Sequence, residues 1–128
     1  MRQVEIMFYP DRAKPVSIQC EVADDFFSKT KGLMHRSSLP KNSGMFFPFL
    51  FSSYRVFWMK NVKTSLDIIY IGKNYRIKKI VETSADAKMY QKAFWTFGFG
   101  KYIVECNKGF CKKHNIFVGT KLSIEKIK

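Results

Sequence analysis

The sequence predicts a single domain of the mainly β class, with one or two short helices and a mostly antiparallel sheet that is closed or sandwiched. Three observations predict this class. Short runs alternate apolar and polar side chains, turn residues separate the runs, and 16% of the chain is aromatic, with 13 Phe that favour strands. At 128 residues, the whole chain (1–128) suits one domain with one hydrophobic core.

The first predicted strand is residues 17–23, because its apolar side chains recur at every second position. A short helix then runs from Asp24 or Asp25 to about Lys31, with acid at its start and base at its end. Gly32 suits the left-handed position that ends such a helix. Three side chains of this helix are expected to face the core: Phe26, Phe27 and Thr30.

Further strands are predicted from the same alternation, and turn residues punctuate them. Pro48 favours an edge or a bulge, and Gly72–Asn74 indicates a hairpin turn. Ile77 and Ile80 fall on different faces, which allows a bulge between them. Residues 84–95 look helical behind an N-cap serine. The strands are 44–51, 57–61, 66–71, 75–82, 101–106 and 121–127.

The net charge of +13 suggests a polyanionic partner. The ratio of lysine to arginine does not favour such a partner. Of 23 basic residues, 18 are Lys and 5 are Arg, whereas bidentate readout of phosphate and bases uses Arg. The lysines are scattered, with the densest groups at 76–79 and 108–113. Nucleic-acid binding therefore remains an alternative to a solvated basic surface.

The location predicted from the sequence is the cytoplasm. Three Cys do not close a disulfide framework, which favours a reducing compartment. The N-terminal residues carry early charges unlike a signal peptide, and the apolar run 45–51 is too short to cross a bilayer. We therefore expect no membrane association.

Six short motifs occur in a characteristic order along the chain. This succession resembles the domain-of-unknown-function 192 family, also called uncharacterised protein family 0127, from about residue 17 to the C-terminus. The resemblance implies a compact β sandwich or barrel, jelly-roll-like, with a short helix near its start, and no established activity. The motifs are Gly32-Leu33-Met34-x-Arg36, Leu39-Pro40, Gly44-Met45-Phe46-Phe47, Trp58-Met59-Lys60-Asn61, Leu66-Asp67-Ile68-Ile69 and Tyr102-Ile103-Val104-Glu105.

The polar residues of these motifs are the candidates for a site, and two interpretations stay open. In one, Arg36 or Lys60 pairs with Asp67 or Glu105 and holds the fold together, while Asn61 ends its strand in a left-handed turn. In the other, the protein is a binding module for a small polar or anionic ligand near the Trp58–Asn61 corner. Its ligand-binding residues are then Arg36, Trp58, Lys60, Asn61 and Asp67.

Catalysis and metal binding have weaker support. Asp67 and Glu105 are the only candidates for an acid/base pair, as in a hydrolase, and they require a common cleft. Cys106-x₄-Cys111-x₂-His114 has soft ligands at a spacing that matches no common zinc loop, so we predict no metal and no cofactor. Cys106 is expected to be a small buried side chain.

The aromatic run 94–99 is a second surface of interest. Two glycines indicate a loop, in which exposed aromatic side chains beside lysines would stack with bases. Burial of most of them is the expectation, because large exposed apolar patches are uncommon. The four aromatic residues are Phe94, Trp95, Phe97 and Phe99.

Overall fold

The computed structural model describes residues 2–25, 29 and 32–126. Within them, seven strands form one curled sheet, which a 3₁₀ turn and a short helix accompany. The elements are β1 (Gln3–Tyr9), β2 (Val16–Val22), β3 (Ser43–Trp58), β4 (Leu66–Ile71), β5 (Ile77–Glu82), the 3₁₀ turn η1 (Lys92–Phe94), β6 (Trp95–Asn107), α1 (Phe110–Lys113) and β7 (Lys121–Lys126).

The strand order is β5-β4-β6-β3-β2-β1-β7, and every neighbouring pair is antiparallel except β2 and β3. The sheet curls until its two edge strands approach, and an isolated bridge joins Arg76 to Lys121 there. The result is a half-barrel. The mainly β, mostly antiparallel prediction is confirmed, whereas a sandwich or jelly roll is not, because the described strands form a single sheet.

Apolar side chains pack on both faces of this sheet, in two clusters. One cluster fills the concave side with residues such as Ile6, Phe8 and Val104, and α1 covers it with Phe110. The other cluster lies on the opposite face, where loops bring Leu33 and Phe94 over the strands. Strand alternation therefore sends successive residues of β4 and β6 into different clusters.

Several predicted elements agree with the structure and others do not. The strand 66–71 is correct, and the bulge near Ile77 is confirmed by the register shift between β4 and β5. The strands predicted at 44–51 and 57–61 form one long strand, β3, with an irregularity after Pro48 that matches the expected bulge. The Met59–Asn61 segment lies beyond its end, in a turn.

The helix predicted at 84–95 is wrong. Residues 84–91 form turns, the 3₁₀ turn η1 follows, and Trp95 already begins β6. The strand β1 was not predicted at all. Most of the helix expected from Asp24 or Asp25 to Lys31, with Phe26, Phe27 and Thr30, lies outside the described residues. The left-handed conformation expected of Gly32 is confirmed by its φ of 48°.

Candidate ligand cavity at Glu105

A cavity of about 420 Å³ follows the free edge of the second half of β3. Beyond Pro48, β3 pairs with β6 on one side, whereas β2 pairs only with residues 43–46. Five consecutive residues, 54–58, line the cavity. Because successive side chains of a strand point to opposite faces, one face could supply only every second residue, whereas an open strand edge is in reach of all five. Five of the lining side chains are aromatic: Phe47, Phe49, Tyr54, Phe57 and Trp58.

Glu105 is the acidic side chain of this cavity. It projects from β6 on the same face as Ile68 and Ile103 and is only 7% exposed. No hydrogen bond between described residues reaches its carboxyl group. Burial raises the pKa of Glu105 from 4.5 to about 8, because the ionised form loses its hydration. At neutral pH most molecules therefore carry a protonated carboxyl group here, which both donates and accepts hydrogen bonds.

Two cations stand beside the cavity, on the ring of Phe49. The Arg55 guanidinium lies 3.6 Å from the ring centre and the Lys29 ammonium 4.3 Å from it. Arg55 Nη2 donates to the carbonyl of Phe51 at 2.5 Å, but its buried Nε has no hydrogen-bond partner among the described residues. Neither cation forms an ion pair with Glu105. The cavity thus combines a neutral carboxyl group, an unused Arg donor and a cationic rim.

The structure brings three of the predicted site residues together. Trp58, Lys60 and Asn61 border a second cavity of about 460 Å³, the corner cavity, and Trp58 lines both cavities. The Lys60 ammonium lies 5.4 Å from the Trp58 ring centre. Asn61 has a φ of 61°, so the expected left-handed turn is confirmed, and its carbonyl accepts from the His35 amide at 2.7 Å. That bond joins two of the sequence motifs.

Arg36 and Asp67 do not join that group. Arg36 pairs with Glu21 at 2.6 Å and lines neither cavity. Asp67 is 1% exposed and lies under α1, where its Oδ2 accepts from the Cys111 amide at 3.1 Å. The pairing of Arg36 or Lys60 with Asp67 or Glu105, expected under the network interpretation, is therefore wrong.

Asp67 and Glu105 lie on opposite faces of the sheet. Asp67 is opposite Cys106 in the β4–β6 register, and Ile68 is opposite Glu105, so the two carboxyl groups enter different clusters. Two carboxyl groups that flank one glycosidic bond must face one cleft. The structure gives this pair no common cleft, and the hydrolase alternative loses its geometric basis.

Two substitutions at Asp67 test whether its hydrogen bond to Cys111 stabilises the fold. We expect Asp67→Ala to lower the free energy of unfolding by about 1–3 kcal/mol, because the buried Cys111 amide loses its acceptor. Asp67→Asn keeps an acceptor oxygen and should cost clearly less. Urea denaturation of both variants checks this. Equal losses in the two variants would show that the bond to Cys111 is not what Asp67 contributes.

The three cysteines are buried and free, and all belong to the concave cluster. Cys106 is a small buried side chain, as predicted, and burial raises the pKa of Cys20 to about 12. The imidazole of His114 packs against Phe110. Among the residues that the structure describes, no three His, Cys, Asp or Glu side chains converge as a metal site would require.

The aromatic run after Phe94 differs from the prediction of burial. Phe94 is buried, but Trp95, Phe97 and Phe99 are exposed on β6. They alternate with the buried residues Thr96, Gly98 and Gly100, which is a strand pattern. The two glycines led to the incorrect prediction of a loop. Sequence reasoning also missed Arg55, because nothing in its local pattern shows that a free strand edge lies beside Glu105.

These features define a class of protein: a mainly β half-barrel with an aromatic-lined cavity and a buried carboxyl group, and with no metal centre among the described residues. The chain belongs to the DUF192 family, described as uncharacterized ACR, COG1430, whose model matches residues 9–124. The resemblance seen in the sequence motifs is thereby confirmed. No curated protein matches the chain.

Two solved structures are similar to this fold. One, described as "a putative transcription regulator" from Sinorhizobium meliloti 1021, has a TM-score of 0.84 and 22% identity, with 94% of this chain and 92% of that chain covered. The other, a protein of unknown function from Novosphingobium aromaticivorans DSM 12444, has a TM-score of 0.76 and 26% identity, with 93% and 83% covered. At 22% identity, the first similarity concerns the fold alone. No helix in the described part of the chain has the length and apolarity to cross a membrane.

Proposed function

We propose that this protein is a binding module for a small planar organic anion held in the Glu105 cavity. One observation carries the proposal: the Glu105 carboxyl group and the Arg55 guanidinium line the same aromatic-lined cavity, and each has unused hydrogen-bonding capacity. The Arg55 Nε donor is buried without a hydrogen-bond partner among the described residues. The Glu105 carboxyl group lines the same cavity and takes part in none of the side-chain hydrogen bonds between described residues. Buried polar groups are usually satisfied, so a ligand that satisfies both explains their retention.

The chemistry of the cavity selects the class of ligand. A protonated carboxyl group donates to an acceptor oxygen, and an Arg donor prefers a carboxylate. The cations on Phe49 attract a negative charge to the mouth of the cavity. The ring walls favour a flat apolar body. This proposal keeps the small anionic ligand expected near Trp58 but replaces Arg36 and Lys60 with Arg55 as the anion contact.

Thermal-shift measurements with three related probes test the proposal. Benzoate should raise the melting temperature, whereas benzamide and benzylamine, which lack the negative charge, should not. Arg55→Lys keeps the charge and removes the planar donor set, so we expect about tenfold weaker benzoate binding. Lys60→Ala also removes a cation, but Lys60 does not line the Glu105 cavity, so this variant is the matched control. Equal stabilisation by all three probes, or by none, would contradict the proposal.

The pH dependence of binding gives a second prediction. Above about pH 8, Glu105 ionises, and its negative charge opposes a carboxylate ligand in the same cavity. Benzoate affinity should then fall by up to about tenfold per pH unit, because each bound ligand requires one proton to be taken up. Glu105→Gln should remove this dependence. Isothermal titration at several pH values measures it, and a decline of equal steepness in the variant would assign it to another group.

A further inference from the structure

The outer half of the β3–β6 pair carries an exposed apolar surface. Its β3 side chains also line the Glu105 cavity, whereas its β6 side chains do not. Cross-strand pairs form its rungs: Tyr54 opposite Phe99, Val56 opposite Phe97, and Trp58 opposite Trp95. We call these six residues the aromatic ladder. Each is between 39% and 66% exposed. Large apolar side chains gathered on one strand face, rather than scattered singly, indicate an interaction surface.

The rings of the ladder already stack on one another. Tyr54 and Phe97 lie parallel within 9°, with centroids 5.4 Å apart, and Phe99 meets Tyr54 edge-on at 5.1 Å. Trp58 and Trp95 are tilted, 5.9 Å apart. Such contacts hold the rings in place and leave their outer faces open. The ladder is therefore an ordered platform for a flat partner.

The surroundings of the ladder are cationic. Lys60 stands by the ring of Trp58, and Lys79 stands 5.8 Å from the ring of Phe97 while donating to the carbonyl of that residue at 2.6 Å. The sequence contains no Asp or Glu in residues 26–66 or 87–104, which include both ladder strands up to Val104. The one acidic residue of β6, Glu105, faces the opposite side.

The positive charge around the ladder favours one kind of binding partner over another. A second copy of the chain would bring another +13 net charge against the same lysines, which is unfavourable. A polyanion with flat apolar groups satisfies both the rings and the ammonium groups. Single-stranded nucleic acid has this chemistry, since its bases stack on aromatic side chains and its phosphates pair with lysines.

The spacing of the ladder favours a single strand over a duplex. Successive rungs are two residues apart, which is about 6.6 Å along a strand and about twice the rise per base in a B-form duplex. Only a strand whose bases are separated matches that spacing. We propose that the aromatic ladder binds single-stranded nucleic acid without sequence preference, through base stacking and through phosphate contacts from Lys60 and Lys79.

Fluorescence anisotropy with a labelled oligothymidylate of about 16 nucleotides tests this proposal on the full chain. Phe97→Ala and Phe99→Ala should each weaken binding at least about fivefold, since one stacked base is lost. Phe97→Trp should retain binding. Phe117→Ala is the matched control, because Phe117 is an exposed phenylalanine outside the ladder. Lys79→Gln should lower the slope of log affinity against log salt by about 0.7.

Three results would overturn the proposal. The first is equal oligothymidylate binding by the Phe97→Ala and Phe117→Ala variants, and the second is tighter binding of the corresponding duplex. The third is a loss of self-association or of phosphatidylserine-vesicle binding in Phe97→Ala while oligothymidylate binding is unchanged, which would assign the ladder to a protein or lipid partner. Phe97 and Phe99 do not line the Glu105 cavity, so benzoate binding in these variants reports on that site separately.

Discussion

Glu105→Gln is expected to flatten the pH dependence of folding stability between about pH 4.5 and about pH 8. In the unfolded chain the carboxyl group ionises near 4.5, whereas in the folded protein it keeps its proton up to about 8. The unfolded state therefore binds fewer protons in this interval, and the wild-type free energy of unfolding falls as pH rises. The full loss is on the order of 3–5 kcal/mol and is complete above the folded pKa.

Chemical denaturation of wild type and variant at pH values from about 4 to about 9 measures this effect. Glutamine has no ionisation, so the difference in stability between variant and wild type should grow with pH and then level off. Glu125→Gln, at an exposed position of β7, is the matched control and should run parallel to wild type. Parallel profiles for Glu105→Gln as well would mean that the carboxyl group ionises in the folded protein as it does in water.

Gly98→Ala is expected to lower the free energy of unfolding by about 2–3 kcal/mol, the cost of overpacking a filled site. A β-carbon at Gly98 would lie 2.7–2.8 Å from three ring atoms of Tyr70. That ring is fully buried, and its hydroxyl group hydrogen-bonds Thr96 Oγ1 at 2.8 Å, so it has little room to move. Thermal or urea denaturation measures the loss.

A double-mutant cycle isolates the contact between Gly98 and Tyr70. Tyr70→Leu removes the ring, so the further cost of Gly98→Ala in that background should be well below its cost in the wild type. If the cost is the same in both backgrounds, backbone conformation at position 98 explains the loss rather than the ring. The result also concerns the aromatic ladder. Gly98 lies between Phe97 and Phe99 in β6, and its close contact with Tyr70 is on the sheet face opposite the ladder.

Much of the fold was predictable because strand alternation is local. The strand 66–71, the hairpin turn at Gly72 and the bulge near Ile77 all follow from side-chain periodicity and turn chemistry. The strand across residues 95–100 was not recognised, because two of its positions are glycines. Gly98 leaves room for the Tyr70 ring and Gly100 for the backbone of Ile71, and both neighbours come from a distant part of the sequence. Likewise, β1 lies between β2 and β7, and no local signal reports that pairing.

The candidate site was predictable only in part. The family motifs contribute Gly32, Phe47, Trp58 and Glu105 to one cavity, so the motifs did indicate the correct region. Which carboxyl group faces that cavity depends on the register between β4 and β6, and that register separates Asp67 from Glu105. Arg55 enters the site because half of β3 has an unpaired edge. Both features are tertiary and leave no mark on the local sequence.

The position of β1 has a consequence for how the chain folds. Val4 pairs with Cys20 on one side and with Lys126 on the other, so strands from both ends of the chain lie side by side. During synthesis, β1 is made well before β7, because the other five strands lie between them in the sequence. Until then, one edge of the β1–β2 hairpin exposes unpaired backbone groups, which makes nascent and partly folded chains prone to aggregation. Such long-range pairing also slows folding.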